Sequence, residues 1–442
     1  MRSGQYSSVL LVQEAPASLT SRVPTAADHA YWLLEHLVAV FGLLLCSGAL
    51  VLLYTHPGAD RAAPLDQANH LFQVTSGSLY LLVATMLLPR WREACLLLAR
   101  NKALLLLLAI AVASSLWAVE PPVALRRALA LLLTFGFALW LAMRFAPGTL
   151  LRLTIAALLL GALASVAAVF LLPEIGKHAW DTHAGLWRGV FGHKNVMGRM
   201  MSFAAVVGLL VVITVPGSRM IGITVVALAT FLVVMAGSAT ASATMLLVLI
   251  ILPGCNWLFL SGFPPRVVVP LALGIGLVLA LAIIALAEPI LSLLGRDPTL
   301  SGRTGLWKFA LDEGLNRPLL GAGFRTFWLE EGPGGSVMAL VSWGEGNIGN
   351  GHNGYLDLWL ELGVAGVVAY AILIKEAIAR IVKLISQNDR LAVWLAVVLI
   401  HLSVYAMTER VLLEHSDLSW LLLTALLLQT TPALALARKG VT

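Results

Sequence analysis

His352 lies among glycines in "GHNGYLDLWLELGVAG", residues 351–366, just before a run that reads as a membrane helix. An imidazole at a helix N-terminus meets the positive end of the helix dipole, which disfavours imidazolium and keeps the ring neutral near pH 7. A neutral imidazole can take a proton, so His352 is the candidate general base. Asn353, Asp357 and Glu361 follow at a spacing of four, on one helical face. Acids inside a membrane point into the bundle and pair. Asp357 suits either orienting His352 or holding an arginine, and spacing alone does not choose. If His352 is not the base, Asp357 or Glu345 is the alternative candidate.

A second set of residues is cationic. In "LPEIGKHAWDTHAGLWRGVFGHKNVMGRMMS", Arg188 and Lys194 flank a Gly-Phe-Gly turn just where a span begins. Cations partly removed from water there need an anionic partner. His193 and Asn195 adjoin them as supporting polar groups. Lys177, His178 and His183 read as readily as solvated loop residues. His178, Asp181 and His183 fit no common zinc spacing, and no metal site is expected. In "SGRTGLWKFALDEGLNRPLLGAGFRTFW", a helix is expected from about Arg303 to Leu315, capped by Ser301, with Leu306, Trp307, Ala310 and Leu311 on one apolar face. Arg303 opens that helix, where the dipole disfavours a cation, so an anion drawn to the same helix end would explain it. The alternative is an ion pair with Asp312 or Glu313. In "TERVLLEHSDLSW", Arg410 and Glu414 read as a surface pair one helical turn apart.

The elements that must position these groups are membrane helices. Of 442 residues, 59% are hydrophobic and 12% charged, with a mean hydropathy of +0.90. A soluble domain carries about a quarter charged residues. The chain therefore reads as an all-α polytopic membrane protein, with about twelve spans expected near 32–54, 70–88, 102–118, 123–145, 149–172, 198–216, 219–236, 241–260, 267–287, 355–374, 391–412 and 418–437. No cleavable leader is evident before the first span, which is expected to act as an uncleaved signal. Arg90, Arg92, Arg100 and Lys102, with Lys375, Arg380, Lys383 and Arg390, put their links on the cytoplasmic side by the positive-inside bias. The expected layout is a cytoplasmic segment 1–31, helices 1–9 over 32–287 with a short basic periplasmic loop at 173–198, a large periplasmic segment 288–354 between helices 9 and 10, helices 10–12 over 355–437, and a cytoplasmic tail 438–442. Cys46, Cys95 and Cys255 suggest neither a disulfide framework nor zinc. A transporter of similar span number should show repeated halves and helices broken at mid-membrane. No repeat is evident, and the polar residues gather at one face.

"RGVFGHKNVMG", "SGRTGLWKFAL…NRPLLGAGF", and His352-Asn353 followed by nine residues and "GVAG" together resemble the bacterial O-antigen ligases. These share a superfamily with O-antigen polymerases and protein O-oligosaccharyltransferases. The resemblance covers the layout of the chain, with sharp motifs between about 188 and 366. It implies a glycosyltransferase of the bacterial inner membrane with its active site facing the periplasm. The donor would be O-antigen on undecaprenyl diphosphate and the acceptor lipid A–core, with membrane lipids around both and no nucleic acid partner. No cofactor, nucleotide sugar or metal would be needed. On that reading Arg188, Lys194 and Arg303 bind the donor diphosphate. His352 deprotonates the acceptor hydroxyl, and a single displacement inverts the anomeric centre.

Overall fold

The computed structural model describes residues 25–50, 70–178, 183–260, 303–335 and 349–431, with Pro264 and Val267. The described residues form helices α1 (Ala26–Cys46), α2 (His70–Leu87), α3 (Trp91–Ala99), α4 (Lys102–Ala113), α5 (Pro121–Arg144), α6 (Pro147–Leu171), a single turn α7 (Pro173–Gly176), α8 (Lys194–Thr214), α9 (Arg219–Ala236), α10 (Ala239–Leu260), α11 (Arg303–Gly314), α12 (Gly354–Ser386), α13 (Leu391–Tyr405) and α14 (Leu418–Gln429). Among them there is no strand, only an isolated bridge between Lys177 and Trp187. Among the described residues seven helices are long and apolar enough to cross a membrane, and shorter apolar ones accompany them. The protein is an all-α polytopic membrane protein. Each expected span overlaps a described helix except the ninth, 267–287, which lies outside the described residues apart from Val267; residues 51–54 of the first and 432–437 of the last also lie outside them, and the span expected over 391–412 ends as helix at Tyr405. Asp181, Ser301 and Glu345 also lie outside them, as do most of the 1–31 segment and the 438–442 tail.

Helix starts follow local chemistry. Thr25 caps α1 in a reciprocal box: its hydroxyl accepts from Asp28 N, and Asp28 Oδ2 accepts from Thr25 N at 2.8 Å. Proline at the first turn opens α5 and α6, where its missing N–H costs nothing. Asp417 caps α14, accepting from Ser419 N and Trp420 N, and pairs with Arg199 of α8 at 2.5 Å. Apolar packing between lipid-facing helices lacks a hydrophobic drive, so close approach matters. At the α8–α9 crossing a side chain on Gly222 would come within 2.7 Å of Gly208 O.

The element nearest the candidate base departs most from expectation. The tenth span is expected over 355–374, yet α12 runs from Gly354 to Ser386 and breaks at Gly363 (φ +63°). A Cβ there would sit 2.2 Å from the Leu319 carbonyl carbon, so only glycine fits. Residues 318–323, which follow α11, thread into the break. Ala322 N donates to Leu360 O and Gly323 N to Glu361 O, while Val364 N and Ala365 N donate back to Pro318 O and Leu319 O. The break therefore leaves these backbone groups satisfied. The part after Gly363 is of spanning length by itself. The Gly354–Leu362 part and residues 306–328 share a small apolar core of Leu306, Ala310, Ala322, Phe327, Trp328 and Leu360. The expected α11 face holds for Leu306 and Ala310, whereas Leu311 is exposed.

Candidate functional site

His352 occupies a left-handed backbone conformation (φ +49°), strained for a residue with a side chain. The turn is fixed from both sides. Gly351 N donates to Asp357 Oδ1 at 2.9 Å, and Gly351 O accepts from Trp307 Nε1 at 2.8 Å. Asp357 Oδ1 also accepts from Trp328 Nε1 at 2.7 Å. His352 N donates to the Asn350 side chain, and Gly354 N to Ala406 O at 2.7 Å. Hydrogen bonds to a buried carboxylate contribute about 1.5–3 kcal/mol each, enough to hold one strained residue. Of the two tasks open to Asp357, the structure shows an orienting one, acting through the Gly351 backbone. Asn353 is the N-cap of α12, accepting from Tyr355 N and Leu356 N, rather than a member of the helical face. Glu361 pairs instead with Arg410 at 2.6 Å, both side chains nearly buried.

The imidazole itself meets a residue that sequence reasoning did not connect with it. His352 Nδ1 lies 3.4 Å from Glu409 Oε2, in the loop after α13. A carboxylate only accepts, so this contact makes Nδ1 the donor and puts the ring's lone pair on Nε2, the atom that can take a substrate proton. Around it, Arg325 (φ +60°) pairs with Glu414 at 2.8 Å and contacts His415 Nδ1 at 2.5 Å, and its carbonyl accepts from buried Arg127. Arg410 and Glu414, 3.6 Å apart, thus belong to an internal network tying α5, α12, the Arg325 turn and the 406–417 loop together. This replaces the expected surface pair.

The 188–195 turn carries the second set of candidate residues and is linked to Glu409 electrostatically. His193 caps α8, its Nδ1 accepting from Asn195 N at 3.1 Å, and Lys194 N donates to His178 Nε2 at 3.2 Å. The rings of His178, His183 and His193 cluster, with centroids 5.0–5.7 Å apart. Burial pushes His193 down to about 4, helped by His178, His183 and Lys194 and opposed by the Glu409 carboxylate. Glu409 therefore acts electrostatically on both His352 and His193. Among the described residues no group of three or more His, Cys, Asp or Glu is placed to hold a metal ion.

The candidate diphosphate ligands divide. Lys194 opens α8 beside His193. Arg188 is buried, donating from Nε to Ile175 O at 2.9 Å and from Nη2 to Glu174 O at 3.3 Å. Those bonds anchor the turn carrying Lys194, a task the sequence did not suggest. Arg303 is the first described residue of α11; residues 301 and 302 before it lie outside the described residues.

Residues 224–371, from within α9 through the first part of α12, match the family model described as O-antigen ligase. That stretch, about a third of the chain, is similar to the O-antigen ligase family. The match contains the His352 turn and the threaded break at Gly363; the 188–195 turn and Glu409 lie outside it. The chain is also similar to the exopolysaccharide production protein ExoQ of Rhizobium meliloti (strain 1021), 29% identical over 106 residues. That stretch is 23% of this chain and 23% of that protein.

Proposed function

We propose that the protein is an O-antigen ligase of the bacterial inner membrane, working on the periplasmic side. It transfers O-antigen polysaccharide from undecaprenyl diphosphate to lipid A–core by metal-independent, inverting glycosyl transfer. The observation that carries this reading is the His352 turn, strained, clamped at Gly351 and backed by Glu409 at 3.4 Å. A ring held that way donates from Nδ1 and acts as base through Nε2. Nε2 takes the proton of the acceptor hydroxyl as its oxygen bonds to the anomeric carbon. The bond from that carbon to the diphosphate oxygen breaks, and its electrons leave with the diphosphate. Lys194 and Arg303 meet the growing charge, with Arg188 in the turn that carries Lys194; fixed cations cost no reorganisation at the moment of transfer. One displacement inverts the centre.

A second reading keeps the same chemistry and changes the acceptor. Similarity to a protein named for exopolysaccharide production favours a polymerase, with a second lipid-linked glycan attacking. A reconstituted reaction offering lipid A–core, a lipid-linked repeat and a Ser/Thr peptide separates the readings. Product on lipid A–core alone supports the ligase, product on the lipid-linked repeat the polymerase, and product on peptide a protein O-oligosaccharyltransferase.

A further inference from the structure

At the end of α12 remote from His352 lies a cavity of about 620 Å³, lined by Arg100, Lys102, Glu376, Arg380, Lys383 and Thr430 among others. Four cations there face a single carboxylate. Arg380 is built in: it pairs with Glu376 and donates to Asn101 Oδ1 at 2.8 Å, Leu427 O at 2.5 Å and Thr430 Oγ1 at 3.0 Å. The side chains of Arg100, Lys102 and Lys383 make no ion pair or hydrogen bond among the described residues.

Helix ends explain part of this and fail for one residue. Arg100 follows α3 and Lys383 lies in the last turn of α12, where the dipole favours a cation. Lys102 is the first residue of α4, where the dipole disfavours one. Asn101, the N-cap of α4, makes no capping hydrogen bond, because its side chain is turned to Arg380, Leu97 O and Thr431. The cavity thus combines an uncapped helix start with cations left over from the ion pairing of the described residues, a combination suited to phosphate.

Which phosphate it suits follows from the surface beside it. α4 and α12 pack together. One turn beyond Lys102 are exposed Leu105 and Leu106, and on α12, one and two turns before Glu376, exposed Ile372 and Val368. A free anion has no use for that apolar strip, whereas acyl chains do. We propose that this cavity binds the phosphate of an anionic phospholipid headgroup, with the acyl chains lying along α4 and α12.

Native mass spectrometry of the delipidated full chain in detergent tests this, with phosphatidylglycerol, phosphatidylcholine and inorganic phosphate as probes. The protein should retain one phosphatidylglycerol against excess phosphatidylcholine. Arg100→Gln/Lys102→Gln/Lys383→Gln should weaken that retention by about fivefold per charge, roughly a hundredfold in all. Lys102→Arg/Lys383→Arg should retain the lipid, and Lys375→Gln, an exposed cation of α12 outside the cavity, should leave it unchanged. Lipid-free melting curves matching the unsubstituted protein confirm that the variants fold; a variant that melts early is replaced by its single substitutions. Equal retention by the triple variant, equal loss in Lys375→Gln, or displacement of the lipid by inorganic phosphate at comparable concentration would each overturn the proposal. Transfer activity does not enter the readout, so the result stands apart from the proposed function.

Discussion

Replacing Glu409 by Gln keeps the shape behind His352 and removes the charge. The contact is 3.4 Å, with side-chain exposures of 30% for His352 and 22% for Glu409. At an effective dielectric constant of about 20 a unit-charge pair at that distance is worth roughly 5 kcal/mol, and partial exposure to water reduces it to about 2–3 kcal/mol. That energy is realised when the ring becomes imidazolium in the transition state, so Glu409→Gln should slow single-turnover transfer about 30- to 150-fold. His352→Ala should cost about 10²–10⁴-fold. The assay is single-turnover transfer from a lipid-linked donor in proteoliposomes, with donor binding measured separately and membrane insertion checked first. In a His352→Ala background, Glu409→Gln should add little, because the charge then has no imidazolium to stabilise. Full additivity would refute the dyad and leave Glu409 a structural partner of Arg199 and His193. Loss of donor affinity in His352→Ala, with normal reaction of bound donor, would make His352 a phosphate ligand instead; Asp357 or Glu345 would then be the base.

His193 sits near 4 when folded against an ordinary 6.5. The unfolded chain therefore binds its proton first, so its stabilisation is full above about pH 6.5 and lost as pH falls towards 4, by at most roughly 3 kcal/mol. Melting curves in detergent from pH 7 to 4 should fall less steeply for His193→Asn. Arg303→Lys should weaken donor binding and turnover together, and Arg303→Ala more so, since the planar fork and then the charge are lost. EDTA should leave transfer intact, because fixed cations meet the departing diphosphate; loss restored by magnesium or manganese would contradict this. For orientation, Gly334 is a poor labelling site, since a Cβ there would lie 2.7 Å from the Trp328 ring. Exposed Glu330→Cys, in a chain freed of its native cysteines, should react with an impermeant thiol reagent in intact spheroplasts; labelling only after lysis would reverse the topology.

The spans are legible because each needs only a run of about 20 apolar residues, a property of neighbouring positions. The helix at Arg303 is legible for the same reason, and so are the glycine-flanked His352 and the Asn353 helix start. Contacts between distant segments are not. Glu409 is 57 positions from His352 and Arg325 is 90 from His415, and no periodicity links such pairs. The spacing of Arg410 and Glu414 describes a surface helix turn. They stand instead in the loop after α13, beyond the end of that helix, where Glu361 and Arg325 reach them from other elements.

Two runs carry a signal that only their meeting explains. "LLGAGF" and "LGVAG" each hold closely spaced glycines, and each reads by itself as a local motif. Their backbones lie against one another, since Gly363 and Gly321 both adopt positive φ at a contact where a Cβ would strike the opposing main chain. A glycine inside an apolar helical run usually marks a packing or backbone need; two such runs in one chain are candidates for meeting. The consequence reaches the site. Threading 318–323 through the break sets Trp328 over Asp357, Asp357 holds Gly351, and Gly351 fixes the strained turn of His352. The proposed base is thus positioned by residues 318–328 as much as by its own helix. On that account Gly363→Ala, which does not touch the imidazole, should slow transfer by loosening the turn, while Trp328→Phe, which stays aromatic but loses the indole N–H donor to Asp357 and part of the buried ring volume, should also slow it.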